Sequence, residues 1–416
     1  MTFATYDLDP RIRRGIQTAG YTVPTPIQAA ALPPALAGRD IIGTAQTGTG
    51  KTAAFVLPLL QRLLDGPRGR TRALVVTPTR ELAEQIHATI RALGRDTGLR
   101  SAVVYGGVGM GPQEQALRRG VEIVVACPGR LLDHVDRGTA RLEGVEILVL
   151  DEADQMFDMG FLPPVRRILG LTANRRQTML FSATFPDAVE SLAASALKRP
   201  ERVAVGVVRP ATTVSHALYP VAQHLKPTIL QALLPRLGTG SVLVFTRTKH
   251  RANRLAQQLD RAGFSVAALH GDRSQGQRQA ALDGFRAGRV RILVATDIAA
   301  RGIDVNGISH VINFDIPDTT EAYIHRIGRT GRAERSGDAF TFVTPDDADM
   351  VKAIERAVGR AIERLTLAGF DYHAPAPVRR DPPAAAAQPR GRTPKVAVGA
   401  LAATREVAAS PARARR

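Results

Sequence analysis

Short runs of β-branched and other apolar residues alternate along most of the chain with longer stretches of helical periodicity. A strand, a helix and a second strand in succession require a crossover connection, so this alternation predicts parallel sheets with helices on both faces. A strand-like segment at 40–43 comes first. The other predicted strands form two series: 73–77, 102–105, 121–126, 146–150 and 178–181, then 241–245, 265–269, 291–295, 310–314 and 339–343.

The two series predict two α/β lobes of similar size, because 416 residues exceed what one hydrophobic core usually organises. The segment 206–213 between them has no clear periodicity. We therefore expect a first lobe at 1–205, a linker at 206–216 and a second lobe at 217–372. The remainder, 373–416, is rich in Ala, Pro and Arg and predicts a disordered basic tail.

The charge balance favours a polyanionic partner. Lys and Arg number 56 against 38 Asp and Glu, a net charge of +18. Nine basic and two acidic residues from 379 to 416 contribute +7, which leaves +11 on the two lobes. With no basic amphipathic stretch, this excess points to nucleic acid ahead of a membrane surface, the alternative being a generally basic proteome.

Several negative signals bear on the cellular compartment. Cys127 is the only cysteine, so no internal disulfide forms and a reducing compartment fits. The first residues lack a basic segment followed by an apolar one, and no run of 18 apolar residues occurs. We expect a cytoplasmic protein without a membrane partner.

A glycine-rich segment at 45–52 follows the strand-like 40–43 and predicts a phosphate-binding loop. Gly48 and Gly50 permit a tight backbone, Lys51 can reach the β- and γ-phosphates, and Thr52 can ligate Mg²⁺. The general pattern has glycine six residues before the lysine, where this chain has Ala45. A chance loop is the alternative interpretation.

The acidic segment 151–154 directly follows the apolar run 145–150. Carboxylates at the end of a buried strand are costly unless a cation compensates them. Asp151 is placed to hold Mg²⁺ through water, and Glu152 to orient and deprotonate the water that attacks the γ-phosphate. A solvent-facing helix cap is the alternative. With Lys51 and Thr52 in the same lobe, the pair predicts a nucleotide triphosphatase.

The segment 325–332 places three arginines on a glycine-punctuated turn of the second lobe. Hydrolysis needs positive charge at the γ-phosphate, so Arg329 and Arg332 are candidate arginine fingers. The alternative is a solvated basic loop. If these arginines reach the nucleotide, ATP would close the two lobes.

The ordered motifs resemble those of the DEAD-box ATP-dependent RNA helicases of superfamily 2, particularly the bacterial type, over about residues 3–345. The resemblance implies tandem RecA-like lobes and ATP with Mg²⁺ as cofactors. The family's phosphate loop begins with alanine, as at Ala45. Residues 20–28 resemble its adenine-recognising motif, with Phe3 as the isolated upstream aromatic.

The resemblance also assigns roles at the nucleotide. Tyr21 would pack on the base and Gln28 would read its edge, whereas Ser182, Thr184 and His325 would couple hydrolysis to unwinding through Asp154. The implied ATP contacts are Tyr21, Gln28, Ala45, Thr47, Gly48, Thr49, Gly50, Lys51, Thr52, Gly302 and Asp304, with Asp304 at the ribose.

Residues at predicted strand ends form the implied RNA side. Each alone is more often a helix cap or a solvated charge, but together they resemble a track that binds the RNA backbone without reading bases. The family usually has threonine where this chain has Cys127, a weaker donor. The set is Pro78, Thr79, Arg80, Gly106, Gly107, Gly129, Arg130, Arg247, Gln275, Arg278 and Thr296.

The resulting expectation is a monomeric RNA helicase that hydrolyses ATP, binds RNA without sequence preference, and unwinds short duplexes or remodels RNA–protein complexes. Ribosomal precursors or the RNA-decay machinery are candidate partners. The alternatives are an ATP-gated RNA clamp with little unwinding and a DNA-directed translocase, against which the motif set argues.

Overall fold

A computed structural model describes residues 2–45, 49–205, 214–300, 308–331 and 337–376. Within them, two seven-stranded parallel sheets follow one another along the chain. No helix among these residues has the length and apolar character needed to cross a bilayer. Some predicted features lie outside the described residues: Thr47, Gly48, Gly302, Asp304, Arg332, linker residues 206–213 and tail residues 377–416.

The first sheet has the order β3-β4-β2-β5-β6-β1-β7, and every neighbouring pair is parallel. All its strands therefore end at one edge, which we call the carboxyl edge, and begin at the opposite amino edge. The strands are β1 (Ile41–Thr44), β2 (Ala73–Val76), β3 (Ser101–Val104), β4 (Ile123–Ala126), β5 (Ile147–Asp151), β6 (Gln177–Ser182) and β7 (Glu201–Ala204).

Nine α-helices cover this sheet on both faces, and each face has its own apolar core. Phe55 and Phe181 anchor one core, with ring centroids 5.4 Å apart. The helices are α1 (Pro10–Thr18), α2 (Pro26–Leu36), α3 (Lys51–Leu63), α4 (Arg80–Leu93), α5 (Met110–Arg118), α6 (Pro128–Asp136), α7 (Ala153–Asp158), α8 (Leu162–Leu171) and α9 (Asp187–Ala196) in the described part of this lobe.

The second sheet has the order β10-β11-β9-β12-β13-β8-β14 and is also parallel throughout. Its strands are β8 (Val214–Pro220), β9 (Ser241–Phe245), β10 (Val266–Leu269), β11 (Ile292–Ala295), β12 (Ile308–Asn313), β13 (Gly337–Val343) and β14 (Glu363–Arg364). Its helices are α10 (Lys226–Leu233), α11 (Lys249–Arg261), α12 (Gln275–Arg286), α13 (Asp297–Ala300), α14 (Thr320–Ile327) and α15 (Ala348–Val358).

All the predicted strands are present, with ends shifted by a few residues at most. The pattern missed the edge strands β7 and β14 and also β8, which lies next to β14. Because β8 begins at Val214, the last three residues of the expected linker belong to the second sheet. At the other end, Tyr372 and Ala374 pack against the second core, so the packed chain extends slightly past the expected boundary at 372.

Candidate nucleotide site and RNA-facing edge

The phosphate loop leads from β1 into α3 at the carboxyl edge. Gly50 caps the helix at φ 92°, and a Cβ there would lie 2.6 Å from Nε2 of Gln28. Both facts require glycine at this position. Lys51, the first helical residue, is 6% exposed, and its Nζ has no hydrogen-bond partner among the described residues. A buried ammonium group without a partner is costly, so this position fits an anionic phosphate.

The residues expected around the base lie next to the phosphate loop. The Gln28 side chain accepts a hydrogen bond from the amide of Thr25 at 2.9 Å and donates one to the carbonyl of Gly50 at 3.0 Å. Tyr21 is partly exposed, and its ring is stacked on Phe3 with centroids 6.3 Å apart. The remaining amide hydrogen and lone pair of Gln28 leave it able to pair with a base edge.

The remaining described residues of the loop lie close by. Ala45 is buried, and its amide donates to the carbonyl of Ser182 at 3.2 Å. Thr49 and Thr52 are half-buried on either side of Gly50 and Lys51. The loop is therefore fixed to the end of β6 as well as to β1.

The two acidic residues at the end of β5 are both buried, each 2% exposed. Glu152 lies in the left-handed backbone region at φ 55°, which turns the chain sharply from β5 into α7. Burial raises the pKa of Asp151 to about 7, against the attraction of Lys51, and the neighbouring Glu152 raises it further. A bound cation would keep this carboxylate ionised. The site residues therefore fit a nucleotide carrying Mg²⁺.

Asp154 joins the acidic segment to the end of β6. One of its carboxylate oxygens accepts from the Thr184 amide at 2.9 Å and the Thr184 hydroxyl at 3.1 Å. The Asp154 amide donates to the Ser182 hydroxyl at 3.1 Å. The hydroxyls of Ser182 and Thr184 are thus both hydrogen-bonded to the acidic segment. Asp154 also lies 3.9 Å from Nε2 of His325 in the second lobe.

The arginines at 326 and 329 have different environments. The sequence predicted a turn carrying all of them, but His325 and Arg326 belong to α14, which ends at Ile327. Arg326 is buried, binds both carboxylate oxygens of Asp297 at 2.6 and 2.7 Å, and covers the Phe245 ring at 5.1 Å. These contacts to Asp297 and Phe245 give Arg326 a structural role within the second lobe. Arg329 is also buried, and its Nε donates to the His325 carbonyl at 3.3 Å.

A second contact between lobes centres on Glu81, in the first turn of α4. Its side chain is 2% exposed and lies 2.9 Å from the Arg278 guanidinium, which is 13% exposed. Gln275 donates to Glu81 at 3.3 Å and accepts from Arg80 at 3.4 Å. Gln275 and Arg278 therefore hold the two lobes together here, and their predicted RNA contacts stay predictions.

The RNA-side residues of the first lobe also converge at the carboxyl edge. Gly107 has φ 75°, and a Cβ there would lie 2.2 Å from Nη1 of Arg80. A Cβ at Gly106 would lie about 4 Å from guanidinium nitrogens of both Arg80 and Arg130. Arg130 donates to the carbonyl of Val108 at 3.0 Å. The two glycines thus admit two guanidinium groups to one surface.

The other predicted RNA-side residues are helix starts or strand ends. Pro78 and Thr79 precede α4, and the Thr79 hydroxyl accepts from the Leu82 amide at 3.3 Å. Gly129 lies in the first turn of α6. In the second lobe, Arg247 follows β9 and forms an ion pair with Asp318 at 3.2 Å, and Thr296 follows β11.

Cys127 occupies the N-cap of α6 without capping it through its side chain. It is buried, and burial raises the pKa of its thiol to about 12. The thiol is therefore protonated at neutral pH, and the helix start lacks the hydroxyl acceptor that threonine would provide.

Sequence reasoning assigned no role to Glu81 or Arg326. An acidic residue in the first turn of a helix is common in any protein, because it favours the helix dipole. Only its burial against an arginine almost 200 residues later distinguishes Glu81. Arg326 lies between the predicted coupling histidine and arginine finger, and only the fold reveals its buried partner Asp297.

The described residues contain no cluster of three or more His, Cys, Asp or Glu side chains able to hold a metal ion. What they do contain is a phosphate loop and a buried acidic pair at one sheet edge, in contact with a second lobe of the same architecture. Fold and site together define a two-lobed, RecA-like nucleotide hydrolase.

Comparison with known proteins narrows this class. Residues 25–192 match the DEAD/DEAH box helicase family model, and residues 225–334 match the helicase conserved C-terminal domain. The chain is 43% identical over 366 residues to the DEAD-box ATP-dependent RNA helicase CshA of Geobacillus kaustophilus, covering 88% of this chain and 78% of the relative. CshA of Bacillus subtilis is 41% identical over 366 residues, covering 88% and 74%.

Two solved structures bear on the arrangement of the lobes. Saccharomyces cerevisiae Dbp5 bound to RNA and ADP BeF3 has a TM-score of 0.80 at 32% identity, covering 88% of this chain and 95% of that one. A DEAD box protein from Methanococcus jannaschii has a TM-score of 0.51 at 36% identity, covering 88% and 99%. The chain belongs to the DEAD-box ATP-dependent RNA helicases. It is an RNA-stimulated ATPase with helicase activity, which the comparisons favour over the clamp.

Proposed function

We propose that ATP and RNA together close the two lobes, and that closure couples hydrolysis to local strand separation or to remodelling of RNA–protein complexes. The observation that carries this proposal is the pair of contacts between lobes. Glu81 meets Arg278 on the RNA-facing side, and Asp154 meets His325 behind the nucleotide site. Because one movement forms both contacts, a ligand that favours closure at either site raises affinity at the other.

The structural comparisons support this arrangement. Dbp5 bound to RNA and ADP BeF3 superposes better than the Methanococcus jannaschii protein, although the latter is more similar in sequence. Both alignments cover 88% of this chain, so we infer that the difference lies in how the two lobes are placed. The lobe placement described here resembles that of a protein holding RNA and an ATP analogue.

At the nucleotide, Lys51 would bind the β- and γ-phosphates, and Thr52 and Asp151 would hold Mg²⁺, directly or through water. An ion held by these residues would supply positive charge beside the phosphates. Glu152, on its left-handed turn, would orient the attacking water and accept its proton. Arg329, with Arg332, would stabilise charge on the γ-phosphate from the second lobe.

The adenosine part of ATP would be bound from both lobes. Tyr21 would pack on the base, Gln28 would pair with its edge, and Asp304 beside Gly302 would bind the ribose. Phosphate-loop residues Ala45, Thr47, Gly48, Thr49 and Gly50 would surround the phosphates mainly through backbone amides.

On the RNA side, Arg80 and Arg130 would bind phosphates beside the small surface of Gly106 and Gly107. Such contacts position the backbone without reading bases, so we expect no sequence preference. Ribosomal precursors or the RNA-decay machinery are the partners we propose in the cytoplasm, with structured RNA as the target. The described surface exposes few large apolar side chains, which supports a monomer.

A strand-displacement assay tests the proposal. Short RNA and DNA duplexes are incubated with protein and either ATP or a non-hydrolysable analogue. Displacement of RNA that needs ATP is the expected result. Opening of DNA but not RNA would contradict the RNA assignment, and stable RNA retention without displacement would favour a clamp.

The variant Glu152→Gln tests the catalytic assignment. It should bind ATP and RNA normally but hydrolyse ATP at least 100-fold more slowly, since removal of a general base costs roughly 10²–10⁴-fold. Glu363→Gln, an exposed site on β14, is the matched control. A normal hydrolysis rate in Glu152→Gln would exclude Glu152 as the base. Loss of Arg329 should likewise lower turnover far more than ATP binding.

A further inference from the structure

The amino edge of the first sheet carries two cavities lined by cations. The larger encloses about 630 Å³ and is lined by Arg70, Arg118, Arg137 and Arg141, with Glu143 as its acidic residue. The smaller encloses about 360 Å³ at the starts of β1 and β6 and has five cationic residues and one acidic residue in its lining. Both cavities lie at the opposite end of the sheet from the nucleotide site.

In the smaller cavity the acidic residue is already hydrogen-bonded to the backbone. The carboxylate of Asp40 accepts from the amides of Thr178 at 2.7 Å and Lys198 at 2.6 Å. Arg175 is likewise engaged, since it donates to backbone carbonyls that include Ala196 at 2.9 Å. Its guanidinium therefore helps build the cavity wall.

Three other cations of this cavity have no such role. Arg176, Lys198 and Arg199 are exposed, and none of them forms a side-chain hydrogen bond or ion pair within the described part of the chain. Arg199 also holds a left-handed backbone at φ 45°, which only Glu152 shares among described residues other than glycine. These three cations leave their charge available to a ligand.

The larger cavity repeats the pattern. Arg118, Arg137 and Arg141 are exposed and form no side-chain hydrogen bond or ion pair among described residues, and Arg70 lies 3.9 Å from Glu146. Glu146 is itself bound by the buried Arg72 at 2.7 Å. The amino edge thus has a surplus of positive charge in two adjacent cavities.

Glu146 also shows that the two cavities are neighbours. Glu146 directly precedes β5. Its amide donates to the Arg72 carbonyl, and its carbonyl accepts from the Arg176 amide. Arg70 of one cavity and Arg176 of the other both lower the pKa of Glu146, after the larger effect of Arg72. From β4 to β7 the edge spans six strands, or about 24 Å at the usual strand spacing.

We propose that the amino edge of the first sheet is a second RNA-binding surface, which holds the phosphate backbone of RNA extending from the helicase site. This rests on the proposed function, in which RNA lies at the carboxyl edge. The five residues of β5 separate the two edges by about 16 Å. At about 3.4 Å of rise per nucleotide, the straight-line separation corresponds to about five nucleotides and the width of the edge to about seven, and the strand must also pass around the helices that cover the sheet. RNA held at one edge is therefore at high effective concentration for the other.

The chemistry favours RNA over an acidic protein. Guanidinium and ammonium groups spaced along an edge, with small and polar residues between them, suit a regular series of phosphates. The cavities are open and polar, and protein interfaces usually need an apolar centre. The surface would bind without nucleotide and without sequence preference.

The triple variant Arg137→Ala, Arg176→Ala and Lys198→Ala tests the surface. None of these side chains has a hydrogen bond or ion pair in the described structure, so folding should be unaffected, which thermal melting verifies. The matched control is Arg13→Ala, Arg166→Ala and Arg289→Ala, three exposed arginines elsewhere with the same loss of charge. The full chain is used throughout.

RNA affinity is measured against salt for an RNA of about 6 nucleotides, near the lower limit of single-strand sites, and for one of about 30. For the long RNA, the edge variant should lose about one unit of the log–log salt slope per lost contact, or up to about three, relative to the control. For the short RNA with an ATP analogue, the two triple variants should have the same RNA affinity and the same salt slope. Equal slopes for both variants on the long RNA would overturn the proposal.

Crosslinking of the unaltered protein to a photoreactive long RNA provides a second measurement. Crosslinked peptides containing residues 137–141 or 175–199 are expected, and crosslinks confined to the carboxyl edge would refute the surface. Failure of the proposed function has a different signature, since the short RNA would then bind with the same affinity with or without the ATP analogue.

Discussion

The ion pair between Glu81 and Arg278 makes closure of the lobes accessible to measurement. Replacement of Arg278 by methionine removes the charge but keeps most of the side-chain stem. In the closed arrangement, the Glu81 carboxylate is then 2% exposed and has lost its cation. In an open arrangement water can solvate the same carboxylate. The substitution therefore penalises closure and leaves the fold of each lobe unaffected.

The size of the effect follows from burial. Removal of one partner from a buried ion pair costs about 3–5 kcal/mol. We take the lower figure because Arg278 is 13% exposed and Gln275 still donates to Glu81 at 3.3 Å. About 3 kcal/mol lowers the closure equilibrium roughly 100-fold, at 1.36 kcal/mol for each factor of ten. Gln275→Ala removes a single hydrogen bond and should cost only about 1 kcal/mol, or about fivefold.

The assay is the ratio of RNA affinities with and without a non-hydrolysable ATP analogue, because this ratio reports the coupling through closure. Arg278→Met should lower the ratio strongly with an unchanged melting temperature. The double variant with Glu81→Gln should recover part of the loss, since the unpaired charge is gone. An unchanged ratio in Arg278→Met, or strict additivity in the double variant, would refute the reasoning.

Three further predictions concern single positions. Cys127→Thr supplies the missing cap of α6 and should stabilise the first lobe by about 1 kcal/mol in thermal melts. It should also modestly tighten RNA binding and leave ATP binding unchanged. Unchanged RNA affinity would mean that the hydroxyl serves only the helix. Gly107→Ala should weaken RNA binding by displacing Arg80, whereas Gly106→Ala should not. Equal RNA affinities of the two variants in binding titrations would contradict this. Burial lowers the pKa of His216 to about 4 from 6.5, so the unfolded chain takes up the proton first and stability falls as the pH drops from 6.5 towards 4. The melting temperature of His216→Phe should decline less over this pH range. An identical pH profile would exclude His216 as the cause of the decline.

The sequence predicted the fold because the central strands of a parallel sheet are continuous apolar runs, which are easily recognised in the sequence. Strands such as β5 and β9 are buried on both faces and apolar except for one terminal residue each, Asp151 and Ser241. The missed strands are outer ones with different patterns. In β7, for example, Glu201 and Arg202 precede the buried Val203, and two charged residues conceal the strand.

The grouping of the candidate nucleotide-site residues was predictable from motif spacing, since Asp151 and Glu152 lie at the end of β5 and Lys51 begins the helix that follows β1. The contacts between lobes were not. The pairing of Glu81 with Arg278 depends on how two separately folded lobes meet, which no local pattern encodes. The same limit applies to the amino edge, where arginines from five loops become neighbours only after the sheet has formed.

Each sheet is assembled entirely from consecutive strands, β1–β7 and then β8–β14. Folding during synthesis can therefore finish the first lobe before the second has left the ribosome. At roughly 5–20 residues per second, residues 214–364 take about 8–30 s to be made. For that interval the nascent protein holds the phosphate loop and the acidic pair without the arginines of the second lobe. On the proposed site roles, we expect the first lobe to bind nucleotide during that interval without hydrolysing it.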